Sequence, residues 1–506
     1  MRTVSRVGNE RKEATMNGRI STTARFAGLC ILALTVLCCA NLAYGQYSSN
    51  LEGQVKDPTS AVIPNATVEM TNTATQVSQK LTTDAGGNFR FNSLAPGDYQ
   101  VTVSNTGFNP TVIKITLQTG QTANLPVTLT LAGTRQSVEV TGQAAVLDTA
   151  DSRLQATISG QELHSLPLEG RNFLGLAAVT PGVTGLGVLV GSAPGSCSSG
   201  LASTIPDNFA TELPVEASAN GKSLLSNMFQ LDGLDVTSNI DGGNLNLTPN
   251  PDSIQEVTTE TNDFSVEYGR NSSIIIKMTT KSGTDQYHGN VSDYFTDQHF
   301  WARSEFTGPS YAPFTSNNFS GSVGGPVVPH KHTYFFFSIE PLRSTFSTGN
   351  QAYTWEDPQF VQWAQQNFPT SLGTKLLTTY PIKSSAAGTV SETAQDIFPT
   401  TCGTSAAANI PCGLPMIDSG TYEASPYRRG VEWNTRIDTY FAKDRLYGNF
   451  YRMTHNDQTS AVRTGFDSTN RFDSDSFQIN ETHTFNSRTL NEAMAGFSRP
   501  QGLNGY

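Results

Sequence analysis

The sequence has few charged residues, and beyond its first 45 residues it has no long hydrophobic run. Charged residues make up 15% of the 506, and the formal net charge is -11, so we expect no surface that neutralises nucleic-acid phosphates. A run of about 18 apolar residues would be needed for a membrane-spanning helix, and none follows residue 45. The lack of such a run does not exclude a β-barrel, because the apolar residues of a barrel strand occupy alternate positions.

The sequence also lacks catalytic motifs. Neither His-Glu-x-x-His nor Gly-x-Ser-x-Gly occurs, and the 7 histidines are scattered. Asp232 and Asp235 could suit calcium, but their spacing is not that of an EF-hand loop. We therefore predict no enzymatic activity, no cofactor and no metal site. By contrast, 44 glycines, 27 Phe and 16 Tyr are typical of a protein of many strands and turns.

The N-terminal 45 residues have the pattern of a secretory signal peptide. Arg19 and Arg25 precede an uncharged apolar run from Phe26 to Ala40, and Ala43-Tyr44-Gly45 offers small residues at the cleavage positions. A charged start, a short apolar stretch and a small-residue exit predict export, with residues 1–45 removed. The apolar run is too short to span a membrane comfortably.

Three cysteines remain after the predicted cleavage site: Cys197, Cys402 and Cys412. Cys402 and Cys412 lie in one polar segment with Gly and Pro, and an exported protein can oxidise them. We predict a disulfide between them. Metal ligation is the weaker interpretation, because no His or second cysteine pair stands nearby. Cys197 has no assignment.

Short alternating strands with turn signals between them fill the region from residue 46 to 132. The predicted strands are Leu51 to Val55, Ala66 to Asn72, Gln79 to Thr83, Asn88 to Asn92, Tyr99 to Ser104, Thr111 to Thr116 and Ala123 to Leu131. Seven short strands at this spacing favour an antiparallel β-sandwich. The motifs Thr83-Asp84-x-Gly86-Gly87-x-Phe89-x-Phe91 and Leu94-x-Pro96-Gly97-x-Tyr99-x-Val101 resemble the carboxypeptidase regulatory-like domain. That resemblance implies a transthyretin-like sandwich of the carbohydrate-binding-like class.

A valine-rich segment follows in the linker 133–142. Ser137, Val138, Glu139, Val140 and Thr141 resemble a TonB box, the extended stretch that an energising periplasmic protein pairs with as an added strand. Any valine-rich strand would look similar, so the last strand of the sandwich or a plain linker stay open as alternatives.

Residues 143–283 resemble the plug domain of TonB-dependent receptors of the Oar-like branch. Ser159 with Glu162 predicts a capped helix start. Phe229 to Asp235, with Asp232, Gly233 and Asp235, is one plug motif, and Glu267, Tyr268, Gly269 and Arg270 form another. The resemblance implies an α+β plug, in which Asp232-Gly233 is a turn.

The region 284–506 has the pattern of the first strands of an outer-membrane β-barrel. From Val431 to Ala442, Val431, Trp433 and Ile437 fall on one face and Glu432, Asn434, Arg436, Asp438 and Tyr440 on the other. Seven strands are predicted: Tyr287 to Thr296, Asn317 to Pro326, Thr333 to Arg343, Val431 to Ala442, Arg445 to Thr454, Arg471 to Phe485 and Leu490 to Arg499. The connections between them alternate between short and long, as in outer-membrane barrels.

Residues such as Asn318-Phe319-x-Gly321-x-Val323-Gly324-Gly325-Pro326 match the early strands of the Oar-like barrel. Receptor barrels of this kind have about 22 strands. We therefore expect an incomplete barrel, in the N-terminal part of a longer protein or in a truncated gene product. The whole fold is predicted to be mainly β: a small sandwich, an α+β plug and the first strands of an antiparallel barrel.

The resemblance implies binding and gating rather than catalysis. We expect a TonB-dependent receptor in the cell outer membrane, with the sandwich in the periplasm, that takes up a scarce nutrient, a carbohydrate or a peptide. Its partners would be a TonB-type energising protein and outer-membrane lipid. In the long connection from Ser344 to Gly430, Trp355 and Trp363 are candidate ligand-facing residues. A non-transporting adhesive or matrix protein and an exported carbohydrate-binding protein are the alternatives.

Overall fold

The structure is a computed structural model. It describes residues 49–132, 139–140, 153–166, 168, 170–185, 208–209, 215–238, 242–264, 268–269, 271–300, 313–329, 331–347, 350–383, 386–486 and 489–505. Several predictions lie outside these ranges: the signal peptide, Cys197, Ser137, Val138, Thr141, Glu267 and Arg270. None of the helices in the described ranges has both the length and the apolar character needed to cross a membrane.

The first unit is a β-sandwich of eight strands with a ninth added at its edge, counted over the described residues. The strands are β1 (Ser49–Lys56), β2 (Thr67–Asn72), β3 (Ser78–Thr82), β4 (Asn88–Leu94), β5 (Gly97–Ser104), β6 (Thr111–Leu117), β7 (Thr122–Asn124), β8 (Val127–Thr128) and β9 (Glu139–Val140). One sheet has the order β4-β1-β7, with β8 also paired to β1, and the other has the order β3-β2-β5-β6-β9.

Alternate residues of these strands form the core of the sandwich, which includes Leu51, Phe89, Phe91, Val101 and Val103. Gly53 is required in β1, because a Cβ there would lie 2.0 Å from the Leu125 carbonyl oxygen. The predicted antiparallel sandwich differs from the structure in one respect, since β7 and β8 run parallel to β1. The added strand β9, which lies beyond the predicted sandwich, also runs parallel to its partner β6. Turn residues indicate direction only between strands that follow each other directly, and β7, β8 and β9 pair with strands that do not directly precede them.

A second sheet and its helices, at residues 153–281, are called the plug here. It contains β10 (Leu154–Ser159), α1 (Gly160–Ser165), β11 (Val183–Thr184), β12 (Ser218–Ala219), β13 (Met228–Leu231), β14 (Leu234–Asp235), β15 (Ile254–Asn262) and β16 (Ile275–Thr280). Short 3-10 helices occur at Phe173–Val179, Leu224–Ser226 and Pro251–Ser253. The main sheet has the order β10-β15-β16-β13-β14. The predicted capping box is confirmed, with the Ser159 hydroxyl accepting from the Glu162 amide at the start of α1.

The third part is a seven-stranded antiparallel sheet, called the wall here. Its strands are β17 (His288–Asp297), β18 (Phe314–Pro326), β19 (Thr333–Phe346), β23 (Tyr427–Tyr440), β24 (Asp444–Thr459), β25 (Ser468–Asn486) and β26 (Thr489–Gly505), paired in this order along the chain. A 3-10 helix at Gln298–Phe300 follows β17. Each of the seven predicted strands is present. β24 and β25 extend further than predicted, so their connection is residues 460–467 rather than His455 to Asn470.

The two faces of the wall have opposite character. Polar side chains such as Glu432, Asn434 and Arg436 are buried against the plug, whereas Ile437 on the opposite face is 47% exposed. The outward face carries a series of exposed apolar residues: Val291, Phe295, Phe319, Val323, Ile339, Phe477, Ile479 and Phe497. Apolar residues outside and polar residues inside are what a sheet facing lipid requires.

The long connection between β19 and β23 has a fold of its own, which the sequence analysis treated as a loop. It contains β20 (Asn350–Glu356), α2 (Pro358–Asn367), α3 (Leu372–Thr379), β21 (Ala387–Thr393), α4 (Ala394–Ile397) and β22 (Pro415–Glu423), with a 3-10 helix at Ser405–Ala407. The sheet order is β20-β22-β21. The structure joins Cys402 and Cys412 in a disulfide, beside a small core of Ala394, Ile410 and Met416.

Candidate functional site: the contacts that hold the plug

The plug and the wall meet at the carboxylate of Asp232, which is fully buried in the turn between β13 and β14. Its oxygens accept hydrogen bonds from the Thr280 amide at 2.8 Å, the Thr280 hydroxyl at 2.6 Å and the Asn449 side chain at 2.8 Å. The Arg436 guanidinium lies 3.2 Å away. Asp232 and Gly233 have positive φ values of 49° and 88°, so the predicted turn is present. Donors, one of them a cation, surround this carboxylate, which is the opposite of what calcium needs.

Arg436 links that turn to a chain of alternating charges on the wall. Its guanidinium also pairs with Asp438 at 2.8 Å, and Asp438 lies 3.5 Å from Arg445. Tyr447 lies under Arg436 at 4.7 Å and donates its hydroxyl to the Asp232 carbonyl at 2.9 Å. Because these groups are buried, each charge depends on its partners to offset the loss of water.

A second contact lies on two neighbouring wall strands. Glu340 of β19 and Glu432 of β23 are paired across the sheet, and both are fully buried. The Asn208 side-chain amide donates to both carboxylates, at 3.0 and 3.1 Å, and the Asn318 amide donates to Glu340 at 2.9 Å. The Tyr451 hydroxyl donates to Glu432. The side-chain amides of Asn208 and Asn318 thus donate hydrogen bonds to two neighbouring carboxyl groups, which would repel each other if both were ionised.

Arg171 of the plug adds a positive charge to this contact. Its Nη2 atom lies 3.3 Å from the Glu340 carboxylate and 3.1 Å from the Asp252 carboxylate. The guanidinium also stacks on the Tyr294 ring of β17, with 3.5 Å between its carbon and the ring centroid. The backbone of Arg171 has a positive φ of 62°, next to Gly170 at 59°. The plug therefore contacts the wall here through a cation that is carried on a turn with left-handed backbone angles.

The sandwich contacts the plug through the loop after β6. The Thr119 amide donates to Glu256 at 2.6 Å, and the hydroxyls of Thr119 and Thr279 lie 2.8 Å apart. Arg153 donates to the Gly120 carbonyl at 2.8 Å and pairs with Glu260 at 3.0 Å. Burial raises the pKa of the Glu256 carboxyl, although the hydrogen bonds from Thr119 act in the opposite direction.

The sandwich also contacts the wall directly, through the turn after β2. The Tyr334 hydroxyl donates to the Thr75 carbonyl at 2.6 Å, and the Asp285 amide donates to the Ala74 carbonyl at 3.0 Å. The three parts of the chain are therefore joined by main-chain and side-chain hydrogen bonds at two separate places on the sandwich.

The other predicted site residues divide between these contacts and the interior. Tyr268 packs with Met228 and Ile275 in a small core, and the Lys277 ammonium lies 4.9 Å from its ring. Asp235 accepts the Thr237 amide at 2.9 Å, as a turn residue does. Gly269 has open space around it.

The two tryptophans that were proposed to face a ligand differ in their exposure to solvent. Trp355 is 8% exposed and contributes to the sheet β20-β22-β21, where a Cβ on Gly388 would lie 2.6 Å from its ring. This burial contradicts a ligand-facing role for Trp355. Trp363 is half-buried, stacked on Phe360 with 6.2 Å between ring centroids. The prediction for Trp355 was wrong because the connection was taken as a loop, whereas it folds into a sheet and helices that bury this side chain.

Sequence reasoning missed Arg436, Asn449 and Asn208 as contact residues. For Arg436 the signal was present, because the alternation from Val431 to Ala442 already placed it with Glu432 and Asp438 on the polar face. A charged face opposite an apolar one in an outer-membrane barrel is an inward face. Asn208 gives no comparable signal, since its neighbours in the sequence show neither strand alternation nor a motif.

Two family models match the chain. The model described as "Outer membrane beta barrel domain" matches residues 279–505, and the one described as "Carboxypeptidase regulatory-like domain" matches residues 50–130. The chain is 26% identical over 329 residues to the TonB-dependent transporter Oar of Myxococcus xanthus, which covers 60% of this chain. The chain spans 28% of the length of that relative.

Solved structures give weaker similarities. The ferric enterobactin receptor of Pseudomonas aeruginosa in complex with enterobactin is 10% identical, with a TM-score of 0.38, and covers 70% of this chain and 42% of its own. The TIE protein of Bacillus anthracis is 25% identical, with a TM-score of 0.16, and covers 17% of each chain. The two family models and the Oar relative confirm the recognition made from the sequence: the chain is an outer-membrane protein related to the Oar-like TonB-dependent receptors, with a carboxypeptidase regulatory-like domain before its β-barrel domain.

Proposed function

We propose that the protein is a TonB-dependent receptor that takes up a scarce nutrient across the outer membrane by binding and gating. The observation that carries the proposal is how the plug is held. At Asp232–Arg436 and at Arg171–Glu340, plug and wall are joined by buried ion pairs, beside an apolar contact in which Leu342, Tyr451 and Met453 of the wall pack on the plug core. Polar contacts suit a part that must separate from the wall and return, because each group can exchange its partner for water.

The same contacts imply that the plug does not leave unaided. Removing one partner of a buried ion pair typically costs about 3–5 kcal/mol, and two such pairs hold the plug. External work is therefore required, and a TonB-type protein in the periplasm is the proposed source. Ligand binding would have to favour the displaced state over the seated one, because equal affinity for both shifts no equilibrium.

In this proposal the sandwich lies in the periplasm, and the end of the wall that has the short turns faces the same side. The apolar outer face of the wall contacts lipid. The folded connection between β19 and β23 then lies on the outer side, where a carbohydrate or a peptide would first meet the protein. Residues 1–45, 46–132, 133–142, 143–283 and 284–506 are proposed as signal peptide, sandwich, TonB-box-like linker, plug and barrel region. We assign no catalytic step to any of them.

Growth of a strain that lacks the gene tests this function. The strain and its parent are compared on oligosaccharides and peptides supplied at low concentration, and the substrate is the nutrient on which the strain fails. A variant without Ser137 to Thr141 should then fail on the same nutrient while reaching the outer membrane in normal amounts. Normal growth of that variant would favour a non-transporting, adhesive role.

A further inference from the structure

Strand β6 lies next to the edge of the second sheet of the sandwich, and its outer side accepts another segment of the same chain. Glu139 and Val140 form β9, which pairs in parallel with Val112 and Ile113. The opposite side of β6 is paired with β5 along its whole length. The two paired residues of β9 belong to the TonB-box-like segment, so the sandwich and a periplasmic partner would bind the same main-chain groups.

The last described residues before β9 lie near the start of β6, where β9 is paired. The Ala132 amide donates to the Gly107 carbonyl at 2.8 Å, and Phe108 is bridged to Leu131, so the last sandwich residues lie close to the start of β6. A parallel strand that begins there runs in the same direction as β6. It therefore heads toward the loop at the far end of β6, which contains Thr119.

That loop is the part of the sandwich that contacts the plug. Thr119 binds Glu256 and Thr279, and Gly120 accepts from Arg153, the first plug residue in the described ranges. Strand β6 thus pairs with the TonB-box-like residues near its start, and the loop just after its end contacts the plug.

We propose that the outer edge of β6 is a binding site for the segment Glu139–Val140, which keeps this segment from a periplasmic strand-pairing partner until it is displaced. The proposal rests on the proposed function, because it assumes that the segment is a TonB box. A pairing two residues long is short for a strand, which makes it reversible. It also covers an edge that would otherwise offer unpaired main-chain groups to other chains.

The test is a reversible cross-link in the full-length protein, purified from outer membranes. Val112→Cys with Glu139→Cys joins two residues that are in register. Thr71→Cys with Ser78→Cys is the matched control, because this pair lies in the same sheet with its hydroxyls 2.7 Å apart and does not involve β9. Wild-type protein with and without reductant controls for opening of the Cys402–Cys412 disulfide.

The probe is the purified C-terminal periplasmic domain of the TonB-type protein from the same genome. When nine-tenths of the Val112–Glu139 variant is oxidised, we expect the amount of this domain bound at saturation to fall about tenfold and to return on reduction, because cross-linked molecules cannot release the segment. The control variant should bind equally well in both states. Equal binding by the oxidised and reduced Val112–Glu139 variant would overturn the proposal, as would failure of that pair to oxidise under conditions that fully oxidise the control.

Hydrogen exchange separates this proposal from the proposed function. In wild-type protein the amides at residues 139–140 should be protected, and adding the periplasmic domain should raise exchange at Val112 to Lys114. Protection without any binding of the domain to the reduced protein would keep the strand pairing but refute the TonB-box role. Unprotected amides together with normal binding would refute the strand pairing and leave the transport function intact.

Discussion

The carboxylate of Asp232 and the guanidinium of Arg436 lie 3.2 Å apart, 204 residues from each other in the sequence, with 0% and 2% of their surfaces exposed. Asp232 belongs to the plug and Arg436 to the wall, and their side chains are in direct contact. This pair therefore reports directly whether the plug is seated, and it leads to the first prediction.

Replacing Arg436 by Ala should destabilise the seated plug by about 3–5 kcal/mol, because Asp232 is left buried without its cation and Asp438 keeps only Arg445. Urea midpoints of the protein in detergent measure the change. The matched control is Arg471→Ala, which removes an exposed pair with Asp473 and should cost about 1 kcal/mol or less. Similar losses in both variants would show that the buried pair does not hold the plug.

Replacing Asn208 by Asp should make seating of the plug depend on pH. The new carboxyl group would lie beside Glu340 and Glu432 and could no longer donate to them. Like charges at this distance disfavour ionisation, so the plug should loosen at neutral pH and tighten in acid. Limited proteolysis across pH measures this, with Asn208→Gln as the control that keeps an amide. A pH-independent digestion pattern for the Asp variant would contradict the prediction.

The contact between sandwich and plug should weaken as the pH rises. Burial raises the pKa of Glu256 above its ordinary value of 4.5, so the folded protein holds this proton more tightly than the unfolded chain does. Stability from this group is complete below about pH 4.5 and declines as the pH passes through the raised pKa. Exchange of the Thr119 amide, corrected for its intrinsic rate, follows the change.

One variant and one comparison within the protein check the sign. Glu256→Gln should flatten the pH dependence at Thr119. At the start of α1 the slope should be reversed, because hydrogen bonds from Ser159 lower the pKa of Glu162, and protection there declines as the pH falls. An unchanged slope in Glu256→Gln would assign the effect to another group.

Reducing the Cys402–Cys412 disulfide should loosen the folded connection between β19 and β23 and leave the plug in place. Closing a loop by a disulfide typically contributes about 2–4 kcal/mol. The bond lies beside the small core of Ala394, Ile410 and Met416. Proteolysis should increase within residues 394–414, and Cys402→Ser should reproduce it. Increased cleavage in residues 254–280 would contradict this localisation.

How far the sequence predicted the structure differs between its parts. The seven wall strands were predictable, because alternation along each strand and the alternating lengths of their connections are local signals. The helix start at Ser159 was predictable for the same reason, since a capping box depends on two residues three positions apart and on no distant partner.

Direction and pairing across long separations were not predictable. Nothing in β9 indicates that it runs parallel to β6, and nothing in Arg436 indicates Asp232 as its partner. The helix α2 was missed for a different reason. Asp357 as N-cap and Pro358 at the first position are a proper helix start, but the segment lay in a region already assigned as a loop.

The most direct test of the account is a disulfide between plug and wall. The Asn246 side-chain amide donates to the Ser498 hydroxyl at 3.4 Å, so Asn246→Cys with Ser498→Cys should cross-link in intact outer membranes. Phe477→Cys with Phe497→Cys, a pair within the wall, is the control. The account predicts that the first cross-link stops uptake until it is reduced, and that the second leaves uptake unchanged. Continued uptake with plug and wall fully cross-linked would contradict a plug that must move.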